Sequence, residues 1–351
     1  MGFVAIKGGE EAIKNSLAFH QSMIEDNQDL EPEQIEHSLR YAVDKVLSEG
    51  SLYSKKLSAL AIQKSGGDLF NAAFMLRAHR SSCARVGTAM LVNTDDMRIS
   101  RRISSAFKDI KGGQFLGASN DYEVKLILQK SKDKTLWDDY NSDDIFLESA
   151  LKPLRDVQMM KTLPKDDETA DVTRLFPTAP YPRSAVMQIM SRGETGAMLA
   201  FAYTSMRGYG DVHPTIGDLR LGSCDVHSIH PFTKNKVKIG EIDVTACESV
   251  AIFEKQKNGE IKLTTGFGFC FGYNETKAIS MSILDTTLHN TSYSIGEGAI
   301  ANDFEMILHH IDAIESTGFT NHYKLPHYVT FQSDLKVYEN TKKFNAEEEG
   351  K

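Results

Sequence analysis

Cysteine is scarce in this chain, and long apolar runs are absent from it. The four cysteines form no C-x-x-C pair, which argues against a zinc ribbon or a disulfide scaffold. We expect them to be buried free thiols in a reducing cytoplasm. No stretch approaches about 18 apolar residues without a charged residue, so the sequence predicts no membrane-spanning segment.

The chain also lacks an excess of positive charge. Its net charge of -8 at pH 7 argues against a protein that coats nucleic acid non-specifically. The first residues, MGFVAIKGGEEAIK, lack the apolar core of a signal peptide. Ile6 stands where a myristoylation signal has Ser or Thr. These absences indicate a cytoplasmic protein with no membrane partner and no nucleic-acid partner.

Several common catalytic signatures are missing as well. The sequence contains no G-x-S-x-G, no Walker loop and no H-E-x-x-H. The glycines of GFGFCFG (266–272) are spaced G-x-G-x-x-x-G, one residue too long for the dinucleotide fingerprint. They also follow an alternating stretch and do not open a βαβ unit. We interpret this segment as a sheet strand with close backbone contacts.

The apolar residues that are present follow a pattern typical of an α+β fold. In PEQIEHSLRYAVDKVLSEG, Ile35, Leu39 and Val43 lie on one helical stripe that stops at Gly50. In contrast, VKIGEIDVTACESVAIFEKQKNGEIKLTTGFGFCFG alternates apolar and polar residues around a Lys-Asn-Gly turn, which predicts antiparallel strands. The sequence thus predicts an N-terminal helical region, followed by an antiparallel-sheet-containing domain with helices.

Composition divides the chain into four ranges. The segments QKSKDKTLWDDYNSDD and KTLPKDDETAD are polar and irregular, and we interpret them as surface excursions around one helix over 145–161. Pro153 is expected to break or kink that helix. The predicted ranges are a helical N-terminal region (1–95), a basic Gly-rich loop with polar excursions (96–170), an α+β C-terminal domain with the histidine loop (171–345) and a disordered tail (346–351).

A glycine turn stands among cations in RRISSAFKDIKGGQFLGASNDY (101–122). Backbone N–H groups of Gly-rich turns form anion nests, and nearby arginines and lysines would suit a phosphate at Gly112 and Gly113. The stretch ends in Asp121 and Tyr122, which could take part in proton transfer. The alternative is a tight turn with a solvated basic face.

A second glycine-containing segment, MRGYGDVHPT, sets Arg207, Tyr209 and His213 between glycines. A cation and an aromatic ring in one turn are suited to a phosphorylated substrate. The alternative is a structural turn in front of a proline.

Two histidines bracket Lys-Leu-Pro in HYKLPHYVTFQ (322–332). Positions five apart point about 140° away from each other on an α-helix, so one helix face cannot present both imidazoles. Pro326 biases Leu325 away from helical backbone. His322 and His327 are therefore predicted on a loop that can bend back and bring both imidazoles to one metal ion. The alternative is two ordinary loop histidines, because a two-histidine motif alone is weak evidence.

Six blocks of sequence run in order over nearly the whole chain: KGGEEAI, RRISSAFKDIKGGQFLG, DVTRLFPTAPYPRS, AYTSMRGYGDVHP, FGYNETKAISMSILD and GFTNHYKLPHYVTFQ. In these blocks the chain resembles the PhnI family, a subunit of the bacterial carbon–phosphorus lyase core complex. It departs from the family pattern at Ser119–Asn120, where a Thr-Tyr pair is expected. It departs again at Thr330, where an Asp is typical.

The resemblance implies an enzyme of the glycosyltransferase type. In the family, this subunit acts with its partners to displace adenine from C1′ of MgATP with an alkylphosphonate, which gives a ribose 1-phosphonate 5-triphosphate. Alone, the subunit behaves as a purine nucleosidase that uses water. Displacement at an anomeric carbon passes through an oxocarbenium-like state. The candidate catalytic residues are Asp121 and Tyr122, and the candidate substrate-binding residues are Arg207, Tyr209, Gly112 and Gly113.

The resemblance also implies a metal and an assembly. The family's histidine pair, which matches His322 and His327, binds zinc close to the interface with the radical-SAM subunit PhnJ. Two imidazoles with open positions would also accept iron, manganese or nickel. The implied partners are PhnG, PhnH, PhnJ and, through the core, the ABC-type subunits PhnK and PhnL, with self-association about a two-fold axis. The alternative function is a scaffold that mainly completes the PhnJ active site.

Overall fold

The computed structural model describes residues 9–25, 30–123, 126–127, 145–163, 165–166, 168–207, 213–256, 258–289 and 303–349. In this part of the chain, no helix combines the length and the apolar character needed to cross a membrane. The helices are α1 (Glu10–Glu25), α2 (Pro32–Ser38), α3 (Arg40–Gly50), α4 (Lys55–Lys64), α5 (Leu69–Ser82), α6 (Lys152–Asp156), α7 (Arg183–Arg192), α8 (Thr195–Met206), α9 (Glu275–Leu288), α10 (Phe304–His310), α11 (Ala313–His322) and α12 (Tyr328–Glu349). The strands are β1 (Arg98–Ile103), β2 (Thr215–Ile229), β3 (Lys236–Lys255) and β4 (Ile261–Phe271).

The chain forms two compact units with boundaries that differ from the four predicted ranges. The first unit joins Met1–Glu31 to Ile314–Lys351, and the second is the continuous segment Pro32–Ala313. Local composition cannot show that two distant segments belong together, because it carries no long-range information. The predicted boundary at residue 171 also cuts through one sheet, since β1 pairs with β2.

In the first unit, many apolar side chains of the described helices are exposed. Phe19 on α1 and Tyr328, Phe331 and Tyr338 on α12 are each more than half exposed. Helices gain most of their stability in water from packing an apolar face. Large exposed apolar surfaces are typical of protein–protein interaction sites.

The last residues depart from the expected disordered tail over 346–351. Helix α12 continues to Glu349, because Ala346 and the glutamates after it have high intrinsic helix propensity. Residues 350 and 351 lie outside the described part of the chain.

The second unit begins with four helices, which confirms the predicted N-terminal helical region. Two of them start with side-chain caps. Ser54 Oγ accepts from the Leu57 N–H at 3.2 Å, and the Asp68 carboxylate accepts two amides in the first turn of α5. Helices α2 to α5 share a core of buried side chains: Ile35, Val43, Val46, Leu47, Ala59, Ala61, Ile62, Ala72 and Leu76.

The four strands form one antiparallel sheet in the order β1-β2-β3-β4. The prediction of an antiparallel sheet is confirmed, and GFGFCFG lies in β4 as a strand. Along β4, Cys270 is buried in the core, while the Phe267 and Phe269 rings stack at 6.4 Å. The α+β class is therefore confirmed.

Helix α9 packs directly against β4 because two glycines in the strand leave no side chain between the backbones. A Cβ at Gly266 would lie 2.0 Å from the Ser282 carbonyl oxygen, and a Cβ at Gly268 would lie 2.0 Å from the Ala278 carbonyl oxygen. This close approach fixes the position of the first turn of α9.

The helix predicted over 145–161 is much shorter in the structure. Helix α6 covers only Lys152–Asp156, with Pro153 in its first turn. Proline lacks an N–H and is tolerated at a helix start but not inside a helix. Pro153 thus sets where the helix begins.

We expect Gly268→Ala to destabilise the protein by about 1–3 kcal/mol or more, because the added methyl group would overlap the α9 backbone. Gly240→Ala is the matched control, since nothing lies within 4 Å of a Cβ there. Urea unfolding of both variants measures the difference. Equal midpoints for the two variants would contradict close packing of α9 on β4.

Candidate functional site

A cavity of about 320 Å³ lies in the second unit. Its walls come from the start of α3, from β1, from the segment 118–121 and from the first turn of α9. The lining residues that carry charge are Arg40, Lys45, Arg101, Asp121, Glu275 and Lys277. A volume of this size suits a small polar ligand or part of a nucleotide.

Arg101 holds two carboxylates at this cavity. Its side chain, which is 3% exposed, donates from Nε to Glu275 Oε1 at 2.6 Å and from Nη1 to the Leu116 carbonyl oxygen at 2.6 Å. Its Nη2 donates to Asp121 Oδ2. The Asp121 side chain is 45% exposed, so that it combines a fixed position with access from the cavity.

Of the two catalytic residues predicted in the loop 101–122, only one lines the cavity in the structure. Asp121 lines the cavity, whereas Tyr122, which is 70% exposed, is not part of its lining. Its proposed catalytic role stays a prediction. Ser119 and Asn120 both line the cavity.

The glycine turn does not reach the cavity. Gly112 and Gly113 have φ of 86° and 80°, which favours glycine. The Gly113 N–H donates to the Ile110 carbonyl oxygen at 2.9 Å. A Cβ at Gly112 would collide with Leu147. These contacts favour the tight-turn alternative, and anion binding by Gly112 and Gly113 stays a prediction.

Arg207 directly follows α8 and is exposed. Its Nη1 donates to the Tyr203 hydroxyl at 3.1 Å, one helical turn back, and it is not among the residues that line the cavity. Tyr209 lies outside the described residues. Substrate binding by Arg207 and Tyr209 stays a prediction.

The first turn of α9 faces the cavity without a side-chain cap. Asn274 occupies the N-cap position but forms no cap hydrogen bond. Instead, its Nδ2 donates to the Asp44 and Phe271 carbonyl oxygens at 2.9 and 2.7 Å. Beside this turn, the Arg40 guanidinium lies 3.7 Å from the centre of the Tyr273 ring, which is a cation–π contact.

Lys277 sits in the cavity wall with a fully buried side chain. Its ammonium donates to Ser48 Oγ at 3.0 Å, and it forms no ion pair within the described part of the chain. Burial lowers the pKa of Lys277 from 10.5 to about 8. A buried cation without a paired anion is costly to the fold, and such costs are typical of functional sites.

Lys45, in contrast, is fully engaged. Its ammonium donates to Glu49 Oε1 at 2.6 Å and to Glu194 Oε1 at 2.7 Å. Glu49 also accepts from the Thr195 N–H and hydroxyl. Burial opposes the charged form of Lys45, but the two carboxylates raise its pKa overall. This network joins α3 to the start of α8.

We expect Lys277→Met to raise the free energy of unfolding, because an uncompensated buried charge is replaced by an apolar side chain of similar length. The pKa of Lys277 is lower in the folded state, so between about pH 8 and 10.5 the unfolded state binds more protons and the wild type gains stability as pH rises. The advantage of the variant should therefore be greatest below pH 8 and should shrink by roughly 1.4 kcal/mol per pH unit above it.

Urea unfolding of both proteins over this pH range measures the gap. Burial raises the pKa of the Cys270 thiol to about 12 although the Lys277 charge lowers it. Loss of that charge raises the pKa further, so the folded thiol stays protonated over this pH range in both proteins and the gap reports Lys277. A gap that stays constant with pH, or a less stable variant, would contradict the prediction.

The predicted histidine pair belongs to the first unit. His322 is the last residue of α11, so that it lies at a helix end and not on the predicted loop, because the helix continues up to the turn in front of Pro326. His327 lies in the connection just before α12, as predicted. Their ring centres are 5.1 Å apart. His322 Nδ1 contacts the Phe319 carbonyl oxygen, and His327 Nδ1 lies 2.6 Å from the Leu325 carbonyl oxygen.

These contacts fit a metal-binding pair. A carbonyl at Nδ1 favours the tautomer that leaves Nε2 as the metal ligand. Two imidazoles on one tetrahedral ion with Zn–N bonds of about 2.0–2.1 Å have ring centres about 5 Å apart, close to the separation in the structure. Among the described residues, no group of three or more His, Cys, Asp and Glu side chains forms a metal site. Other ligands would have to complete the coordination.

The sequence candidates did not include Arg40, Glu275 or Lys277. The sequence does contain a pattern from which Lys277 could have been identified as a candidate. Lys277, Met281 and Leu284 share the i, i+4, i+7 spacing of one helical stripe. A cation on a stripe that is otherwise buried indicates a functional position.

The chain is similar to known proteins over nearly its full length. The family model described as bacterial phosphonate metabolism protein (PhnI) matches residues 2–345. The protein HtxH of Stutzerimonas stutzeri, whose name refers to a C-P lyase subunit, is 42% identical over 95% of this chain and 94% of its own. Two proteins named alpha-D-ribose 1-methylphosphonate 5-triphosphate synthase subunit PhnI are 37% identical (Escherichia coli K12) and 34% identical (Rhizobium meliloti 1021), each over 95% of this chain and over 97% and 93% of their own.

Proposed function

The chain belongs to the PhnI family of bacterial phosphonate metabolism proteins, and from this membership we propose that it displaces adenine from C1′ of MgATP with an alkylphosphonate. The product is a ribose 1-phosphonate 5-triphosphate. Two relatives are named for the synthesis of the methylphosphonate form of this compound. With water as the acceptor, the same site would act as a purine nucleosidase.

The reaction forms one bond and breaks one. A phosphonate oxygen gives an electron pair to C1′, while the C1′–N9 pair leaves with adenine, which takes up a proton. Positive charge develops on the ribose as the C1′–N9 bond breaks. The site therefore needs carboxylates near the ribose, a proton source for the base, and cations for the phosphoryl groups.

The cavity at Arg101 is the observation that carries this proposal. One buried guanidinium holds Asp121 and Glu275 in the same cavity wall, so that two carboxylates can face an electron-poor ribose. Arg40 and Lys277 supply positive charge in the same cavity. The two kinds of charge that the reaction requires are thus combined in one place.

We assign the metal to His322 and His327. The imidazole pair fits zinc, with the remaining positions open to water, a substrate or a partner chain. When bound, such an ion supplies Lewis-acid chemistry to an oxygen ligand. His322 and His327 would contribute their Nε2 atoms, because the carbonyl oxygens of Phe319 and Leu325 contact the Nδ1 atoms of the two rings.

We also propose that the chain works inside a multisubunit assembly. The relatives are named as subunits, and exposed apolar side chains along α1 and α12 would be covered by partners. The proposed partners are PhnG, PhnH and PhnJ, then PhnK and PhnL through the core, and a second copy of this chain. A scaffold that mainly completes the PhnJ active site is the second candidate function, and the same exposed surface favours it.

Adenine release separates the two candidates. The purified chain is incubated with MgATP, with and without the partner subunits and methylphosphonate, and free adenine is measured by chromatography. We expect adenine from the chain alone, and a phosphonate ester visible by phosphorus NMR when partners and methylphosphonate are added. Absence of adenine in every mixture would contradict the enzymatic proposal and leave the scaffold.

A further inference from the structure

We propose that the α9 side of the cavity, made of the first-turn amides of α9, Arg40 and Lys277, is a binding subsite for one tetrahedral phosphoryl or phosphonyl anion. Its part in adenine displacement rests on the proposed function, whereas anion binding itself does not. The ligand chemistry is shared by the phosphonate acceptor and by a phosphate of the nucleotide. The experiment below distinguishes these two sources.

The first argument is the free end of α9. The backbone N–H groups of Glu275, Thr276 and Lys277 have no acceptor among the described residues, and all three residues line the cavity. The N-cap side chain, Asn274, is turned to other carbonyl oxygens. The N-terminus of a 14-residue helix carries partial positive charge, and its open N–H groups suit an anion.

The second argument is the buried charge of Lys277, which is independent of the helix end. Its ammonium has three donors and one hydrogen-bond partner, the Ser48 hydroxyl. Glu49 favours the charged form through space, but burial acts more strongly in the opposite direction. An anion at the first turn of α9 would supply the missing negative charge, and attraction is strong in a weakly polar interior.

The third argument is Arg40. Its guanidinium lies over the Tyr273 ring, and its side chain is 47% exposed. The nearest carboxylate, Asp44, is 3.8 Å away. The Asp44 carboxylate is shared, because its Oδ2 also accepts the Tyr273 N–H at 3.1 Å. Planar guanidinium groups suit bidentate binding of phosphate-like anions.

The carboxylates of the cavity do not cancel this positive charge. Asp121 and Glu275 are both bound to Arg101. Glu49 and Glu194 are bound to Lys45. Among the described residues, Arg40 keeps one carboxylate partner, Asp44 at 3.8 Å, and Lys277 forms no ion pair.

This arrangement divides the cavity by chemistry. The carboxylates at Arg101 suit the ribose, where positive charge develops. The α9 wall suits the anion, which must be held for in-line approach to C1′ if it is the phosphonate acceptor. Charged groups that are already in position before the reaction stabilise the transition state, because the protein does not have to reorganise around it.

Binding of inorganic phosphate and of methylphosphonate to the full chain tests the subsite. Isothermal titration calorimetry is performed on the wild type, Lys277→Met, Arg40→Met and the control Lys262→Met, in which a lysine of another cavity that pairs with Glu260 is replaced. We expect Lys277→Met and Arg40→Met to weaken binding by about tenfold or more, and Lys262→Met to leave it unchanged. Lys277 is fully buried, so Lys277→Met could prevent folding. Arg40 is half-exposed, so Arg40→Met is expected to fold and still tests the subsite in that case.

Adenine release identifies the source of the anion. If the subsite takes the acceptor, both variants should lose the effect of methylphosphonate on adenine release to a greater extent than they lose hydrolysis of ATP to adenine with water. If it takes a nucleotide phosphate, they should lose turnover of ATP and keep turnover of adenosine. Equal affinities in all four proteins, or no binding by the wild type, would overturn the subsite. Loss of binding in the two variants without adenine release by any protein would instead refute the proposed function alone.

Discussion

Asp121→Asn is expected to lower adenine release from ATP by about 10²–10⁴-fold, the range for loss of a group that acts on the reacting atoms through a proton or a charge. Asp121 is the partly exposed carboxylate of the cavity, and Arg101 holds it in place. An amide at this position keeps the shape but removes the negative charge that would support an oxocarbenium-like ribose. The measurement is initial rates of adenine formation by the chain with and without partner subunits.

The control for this variant is Asp109→Asn. Asp109 is exposed on the segment between β1 and Asp121, and it does not line the cavity. We expect its rates to equal those of the wild type. Thermal melts of both variants show whether the fold is intact. A folded Asp121→Asn protein that keeps its adenine release within a factor of about 3, where catalytic carboxylates contribute far more, would exclude Asp121 as a catalytic residue.

His327→Ala is expected to remove most of the bound metal, because a single imidazole with water is a poor zinc site. His327 is exposed and precedes α12, so its replacement should leave the melting temperature and partner binding nearly unchanged. The mutant complex should assemble but fail in phosphonate breakdown. Adenine release should persist if it depends on the cavity of the second unit. Elemental analysis of protein purified without a metal-affinity tag is the measurement.

His309→Ala serves as the metal control. His309 is an exposed histidine of α10, and its ring packs against Phe176 and not against another histidine. We expect wild-type metal content in this variant. Equal metal content in His327→Ala and His309→Ala, or less than one ion per two chains in the wild-type complex, would refute the assignment of His322 and His327.

The sequence predicted those features that depend on local spacing. The strand at GFGFCFG and the helices of the N-terminal region follow from apolar periods of two and 3.6 residues, and both are confirmed. The length of α6 could not be read in the same way. Pro153 was recognised as a break, but only the structure shows that it stands in the first turn and that the helix begins there.

The cavity shows why a site is harder to predict than an element. Asp121 was a candidate because it follows a basic loop, but its partner Glu275 is 154 positions away and meets it only through Arg101. The Gly112–Gly113 turn looked like an anion nest in the sequence. In the structure, the Gly113 N–H donates to the Ile110 carbonyl oxygen within the turn, and Gly112 packs against Leu147, which lies outside the loop. Contacts between residues that are distant in the sequence decide both whether Asp121 meets Glu275 and how the glycine turn packs. A short sequence motif does not contain this information.

The division of the chain into units has a consequence for its synthesis. The second unit is one continuous segment, Pro32–Ala313, whereas the first needs Ile314–Lys351 as well. Domains generally fold as units while the chain emerges from the ribosome, so the cavity can form before α12 has emerged. His322 and His327 follow only afterwards. The unit with the proposed substrate cavity therefore matures first, and binding of the proposed metal would be the later event in the life of each molecule.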